Sequence, residues 1–124
     1  LPYMIQAGSG CIINISSTAS KTAHPTASIS YGASKAAVNS MTQKLAFEMG
    51  EHHIRVNGIC PGPILTDMSS QWTDEYRAAV VKKNPLGIVG SAKNVADVAV
   101  FLGSDMAAFI NGETINVNGG SYMN

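Results

Sequence analysis

The sequence predicts a single α/β unit built on a parallel sheet, and three observations carry that prediction. Short runs rich in β-branched residues read as strands: Cys11–Ile15, buried on both faces, then Ile54–Ile59 and Thr114–Val117. Segments with helical apolar spacing lie between them. The resulting order of strand, helix, strand, helices, strand implies parallel pairing through right-handed crossovers.

Each element has its own signal. Leu1–Ile5 looks like the tail of a helix, and Ala7-Gly8-Ser9-Gly10 is a turn. After the first strand, Ser16 to Ala27 is a small, polar loop containing His24-Pro25. A long helix follows, from Ser28 or Ser30 to about Met49, with Val38, Met41, Leu45 and Met49 as its apolar stripe. Gly50 is the expected C-cap. Pro61 and Pro63 cannot donate to a ladder, so the second strand is expected to stop at Cys60-Pro61-Gly62-Pro63. Thr73 opens a short helix with Asp74 and Glu75 in its first turn and Lys82 and Lys83 in its last, complementing the macrodipole. Asn84-Pro85 ends it. Ser91 caps a further helix whose Val95, Val98, Ala99 and Leu102 share one face, and Gly103 closes it. Asn111-Gly112 turns the chain into the last strand, and Gly119-Gly120 lets it turn away.

Composition narrows the function. The 124 residues are 45% hydrophobic with formal charge zero, which fits one domain with a real core. Neutral balance and scattered charges argue against nucleic acid or an anionic membrane as partner. No apolar run approaches the roughly 18 residues of a membrane span. Only Cys11 and Cys60 are present, so a disulfide scaffold is not expected and a reducing, cytoplasmic setting is. The two lie near opposite ends of neighbouring strands and read as buried free thiols. The chain starts at Leu1 and reads as a piece of a longer protein, a single partial domain over residues 1–124.

The chemistry-bearing stretch is Ser28–Lys35 with Ser16-Ser17 upstream. On a helix, Tyr31 and Lys35 are i and i+4 and project from the same face. Free phenols titrate near ~10, and a nearby positive charge favours the phenolate. Ser17, at the end of an apolar run, can bring a hydroxyl to the same spot. A Ser/Tyr/Lys site suits proton transfer to or from an alcohol or ketone oxygen.

Four landmarks in order closely resemble the short-chain dehydrogenase/reductase family. They are Gly10-Cys-Ile-Ile-Asn-Ile-Ser-Ser17, Tyr31-Gly-Ala-Ser-Lys35, Arg55-Val-Asn-Gly-Ile-Cys-Pro-Gly-Pro-Ile-Leu-Thr66, and Asn111-Gly112-Glu113 through Asn118-Gly119-Gly120. The resemblance covers nearly the whole chain. It implies the C-terminal half of a Rossmann-like, doubly wound parallel sheet, three parallel strands with flanking helices. It also implies an NAD(P)-dependent oxidoreductase interconverting a secondary alcohol and a ketone, assembled as a homo-oligomer (dimer or tetramer) in full-length form. Tyr31 is then the general acid/base, and Lys35 supports its phenolate and bonds the nicotinamide ribose. Ser17 orients the substrate oxygen. Pro61 and Gly62 form the wall beside the nicotinamide, and Ile64 and Thr66 hold its carboxamide through backbone and hydroxyl. The cofactor is NAD or NADP, and no metal is implied.

Two departures stand out. The glycine-rich dinucleotide fingerprint, the residue reading the adenosine ribose and the upstream catalytic Asn of the family are absent from these residues. By the resemblance this chain alone is expected not to bind the dinucleotide. Ser17 also precedes Tyr31 by one residue more than the commoner family spacing, at which Thr18 stands; an extra residue in the Ala19–Ala27 loop reconciles the two.

Plainer readings stand beside these. Ser16 and Ser17 are also ordinary strand-end turn residues, and Pro61-Gly62-Pro63 is also simply a good loop. His24 is expected at the surface or lining a pocket. Met68 and Trp72 belong either to core packing or to a flexible lid over the substrate. Two alternatives to the general oxidoreductase are a 3-oxoacyl-carrier-protein reductase specifically, and a non-catalytic truncated relic that keeps the assembly surfaces.

Overall fold

The computed structural model spans residues 1–124 and describes all of them except Met68. Its main sheet has three strands, β1 (Gly10–Ile15), β2 (Ile54–Pro61) and β5 (Thr114–Val117), in the order β1-β2-β5. Both pairings are parallel: Gly10 lies opposite Ile54 and Ile15 opposite Ile59, while Gly58 lies opposite Thr114. The crossovers are carried by α2 (Ile29–Met49) and α4 (Ala92–Gly103), with α1 (Pro2–Ala7) leading into β1 and α3 (Asp74–Lys83) between β2 and α4. The parallel α/β fold expected from the sequence is what forms.

Side-chain alternation along a strand divides the core into two layers. Even-numbered residues of β1 and β2 face α2: Ile12, Ile54 and Val56 pack with Leu45, Ala46 and Met49, joined by Met4 of α1. Odd-numbered ones face α4: Ile13 and Ile59 pack with Val95, Val98, Ala99 and Leu102. The stripe read for α4 is therefore its packed face. That read for α2 needs correction at one position. Met41 is exposed, and the line of closest packing runs through Thr42 and Ala46. Thr42 stays dry because its hydroxyl is paired twice, donating to Val38 O (2.8 Å) and accepting from Asn14 Nδ2 (2.9 Å).

Three further boundaries differ. The strand β2 continues through Cys60 to Pro61, because pairing past the proline passes to the next residue: Gly62 N–H donates to Val117 O at 3.0 Å. Gly50 is right-handed and starts a 3-10 turn to His52; the left-handed residue is His53, with φ 57°. A small parallel bridge, β3 (Ile64–Leu65) with β4 (Gly90–Ser91), closes the base of the segment holding α3. Two residues are too few to leave a sequence period. Of the two cysteines, Cys60 is buried and Cys11 only half-buried, and both are free thiols.

Two asparagines, the buried Asn57 and the exposed Asn111, do work that strand pairing cannot. Asn57 Nδ2 donates to Ile110 O (2.8 Å) and its Oδ1 accepts from Glu113 N (3.0 Å). Asn111 Oδ1 accepts from Val56 N (2.8 Å), and its Nδ2 donates to Ala46 O (3.0 Å). Together they splice the approach to β5 onto β2. Among the described residues, no helix is long and apolar enough to cross a membrane.

Candidate active site

In an open parallel sheet the carboxyl ends of the strands frame the ligand crevice. At that end β1 delivers Ser16-Ser17 and β2 delivers Pro61-Gly62. The helix α2 starts beside them. Ser28 is its N-cap, with Oγ accepting from Tyr31 N at 3.2 Å, which sets Tyr31 in the first turn and Lys35 one turn on. A cavity of about 930 Å³ opens there. Ser17, Tyr31, Lys35, Pro61, Gly62, Ile64 and Thr66 all line it. The structure thus brings together on one cavity all seven residues assigned to catalysis and cofactor binding from the sequence.

Several are held by specific contacts. Lys35 Nζ donates to Ile15 O at 3.0 Å and sits 5.9 Å from the centre of the Tyr31 ring. The Ser16 hydroxyl is committed to Lys35 O (3.0 Å), and Ser16 is buried. Ser17 is extended (φ −161°, ψ 155°) and caps the 3-10 turn Thr18–Ser20, its Oγ accepting from Ala19 N at 3.1 Å. That contact uses a lone pair and leaves the Ser17 proton available to an incoming oxygen. Thr18, the alternative hydroxyl, is mostly buried in the turn and also borders the cavity. Gly32 permits the approach of turn and helix: a Cβ there would lie 3.1 Å from Ala19 O.

On the other side, Gly62 is pressed against the Asn118 turn, where a Cβ would meet Asn118 Cβ at 2.6 Å. Thr66 and Ser69 form a reciprocal cap, with Ser69 Oγ accepting from Thr66 N at 2.8 Å. Trp72 and Tyr76 also line the cavity and pack edge to face, ring centres 5.1 Å apart. Trp72 is half-buried and belongs to the cavity wall, whereas Met68 falls outside the described residues. His24 lines the cavity too, its Nδ1 3.2 Å from Thr26 Oγ1. No cluster of metal-ligating side chains occurs among the described residues.

One neighbour of the site escaped the sequence. Asn39 lies one turn beyond Lys35 on the same face of α2 and donates from Nδ2 to Ser20 Oγ at 2.7 Å. The i, i+4, i+8 series Tyr31, Lys35, Asn39 was the available signal.

Comparison with known proteins agrees with this arrangement. A family model described as enoyl-(acyl carrier protein) reductase matches residues 1–122. The 3-oxoacyl-[acyl-carrier-protein] reductase of Rickettsia felis is 42% identical over 120 residues, covering 97% of this chain and 49% of that protein. Among solved structures, a 3-oxoacyl-[acyl-carrier protein] reductase with bound NAD from Brucella melitensis superposes with a TM-score of 0.91 at 41% identity, over 99% of this chain and 45% of that one. A gluconate 5-dehydrogenase from Burkholderia cenocepacia, in complex with NADP and tartrate, superposes with a TM-score of 0.90 at 33% identity, over 97% and 48%. The chain thus spans about half the length of the relatives it matches. With its motifs in order, its fold shared and a family model matched nearly end to end, the chain belongs to the short-chain dehydrogenase/reductase family.

Proposed function

We propose that this chain forms the carboxyl-terminal part of an NAD(P)-dependent oxidoreductase that interconverts a secondary alcohol and a ketone, and that its substrate is a 3-oxoacyl thioester on a carrier protein. The observation that carries the proposal is the convergence of Ser17, Tyr31 and Lys35 with Pro61, Gly62, Ile64 and Thr66 on one cavity. The 3-oxoacyl substrate is supported by the reductases of Rickettsia felis and Brucella melitensis.

The residues present suit the nicotinamide end of a dinucleotide. A lysine ammonium stands beside Tyr31, the Pro61-Gly62 wall is fixed by its bond to Val117, and Ile64 and Thr66 offer backbone and hydroxyl groups at the rim. Bound NAD(P)H would supply the hydride. The chain's own residues handle the oxygen. Ser17 donates a hydrogen bond to the substrate carbonyl oxygen and fixes its position. Tyr31 gives that oxygen a proton as negative charge develops on it, and takes the proton back in the reverse direction. Lys35 places positive charge beside the phenolate that Tyr31 becomes.

Large apolar side chains at the surface support a homo-oligomer. Ile29 and Phe47 on α2 and Phe109 after α4 are almost fully exposed, with Met41, Val100 and Met106 also open. The free thiols of Cys11 and Cys60 fit a cytoplasmic setting.

The test is NAD(P)H oxidation by the complete protein that carries this chain. Saturable oxidation with a 3-oxoacyl thioester, yielding the 3-hydroxyacyl thioester, is expected. Turnover only with sugar acids would keep the reaction class and displace the substrate. Oxidation with neither would refute the proposal.

A further inference from the structure

Three segments must hold their relative positions for the site to work: the turn with Ser17, the helix with Tyr31 and Lys35, and the end of β2 before Pro61-Gly62. One side chain touches all three. Asn39, on the Tyr31/Lys35 face of α2, donates from Nδ2 to Ser20 Oγ at 2.7 Å. Ser20 Oγ in turn donates to Ser17 O at 2.5 Å, a carbonyl that also accepts Ser20 N–H at 3.1 Å. On its other side Asn39 Oδ1 faces Cys60 Sγ at 3.8 Å, and Cys60, fully buried, directly precedes Pro61. The Cys60 sulfur is also 3.9 Å from Ser20 Oγ.

We infer that Asn39 is a positioning residue for the proposed reaction, acting on Ser17 through Ser20. The inference rests on the functional reading above and extends it to residues that do not touch the substrate. Direction matters in this chain of bonds. An amide N–H can only donate, so Ser20 Oγ accepts from Asn39 and its own proton goes to Ser17 O. The Ser17 backbone is pinned from behind while its Oγ is engaged by Ala19 N at 3.1 Å. Both restraints act on the residue whose hydroxyl must meet the substrate oxygen. A shift of about 1 Å in such a group costs on the order of a hundredfold in rate. The cofactor-facing residues keep stronger contacts of their own, Lys35 with Ile15 O and Gly62 with Val117 O at 3.0 Å each, against a weak thiol contact of 3.8 Å between Cys60 and Asn39. Loss of Asn39 therefore lowers turnover and spares dinucleotide affinity.

The experiment compares Asn39→Leu, Ser20→Ala and the double variant with wild type in the complete protein. It reads kcat, the NADPH dissociation constant by fluorescence titration, and hydrogen exchange at the Ala19 and Ser20 amides. The expected result is a tenfold to hundredfold fall in kcat, on the order given for such displacements, with the dissociation constant unchanged. Exchange at Ala19 and Ser20 should rise in each variant while that at Val56 stays slow. The double variant should lose no more than the worse single one, because both act in one chain. Unchanged exchange at Ala19 and Ser20 overturns the inference. So does kcat within about threefold of wild type, multiplying losses, or a parallel fall in NADPH affinity. If Asn39→Leu does not fold, Ser20→Ala decides alone by the same readouts. If wild type lacks oxidoreductase activity, the functional reading fails, and the exchange data still judge the Asn39–Ser20–Ser17 chain.

Discussion

The body formed by β1, α2 and β2 and the segment from Thr66 to Lys83 line the same cavity, yet they are held in different ways. In the body, side-chain hydrogen bonds join residues far apart in sequence: Asn14 to Thr42, Ser16 to Lys35, Asn39 to Ser20, Asn57 to Ile110. In the Thr66–Lys83 segment they are local: Ser69 with Thr66, Ser70 with Asp67, Tyr76 N with Thr73. Among the described residues its one distant side-chain partner is Thr26, whose Oγ1 lies 3.5 Å from Tyr76 OH. The helix α3 buries no residue, and just beyond it Leu86 and Ile88 are exposed. Proton transfer needs fixed geometry, and the groups proposed for it sit on the cross-linked body. The segment opposite is held by caps and a two-residue bridge, which suits a wall that adapts to substrate shape.

That contrast can be broken by substitution. The largest effects are expected in the body at the site itself. Ser17→Ala should lower kcat/KM by about 10²–10³, the range for losing one donor to a developing oxyanion. Ser16→Ala and Thr18→Ala should each stay within about tenfold of wild type, since the Ser16 hydroxyl serves Lys35 O and Thr18 is buried in the turn. If Thr18→Ala is the damaging change, the hydroxyl belongs to Thr18.

A step down, Asn57→Ala should cost stability while leaving KM alone. It strands Ile110 O and Glu113 N, and an unpaired buried group costs about 1–3 kcal/mol. Urea unfolding of the complete protein checks this, and an unchanged midpoint would contradict it. The smallest stability change belongs to Trp72→Ala in the wall. It should alter KM among substrates of different bulk and shift the midpoint by less than about 1 kcal/mol equivalent, near the range of substitutions away from a packed core. A loss as large as that of Asn57→Ala would place Trp72 in the core after all.

Legibility in the sequence follows the same division. Each main-sheet strand is announced by a β-branched run, α3 by its cap and charges, and α4 by its cap and apolar spacing, because these signals are local. Ser17, Tyr31, Lys35, Pro61 and Gly62 could be grouped because their motifs lie at the ends of those elements. What stayed hidden depends on contacts made across the chain. Met41 has the right spacing for the buried stripe, yet Thr42 takes the inner position because Asn14 gives its hydroxyl a partner. The strand passes Pro61 because Gly62 supplies the missing donor. The bonds of Asn57, Asn111 and Asn39 reach partners far along the chain and leave no local signal.

The central claim is that Tyr31 supplies and removes the proton from a body that binds cofactor independently of that proton. Tyr31→Phe removes one hydroxyl and almost no volume. Its kcat and its NADPH dissociation constant, measured on the complete protein, test the claim most directly. Turnover should fall by about 10²–10⁴, the range for losing a general acid/base, with the dissociation constant within about threefold of wild type. Turnover within tenfold of wild type would contradict it.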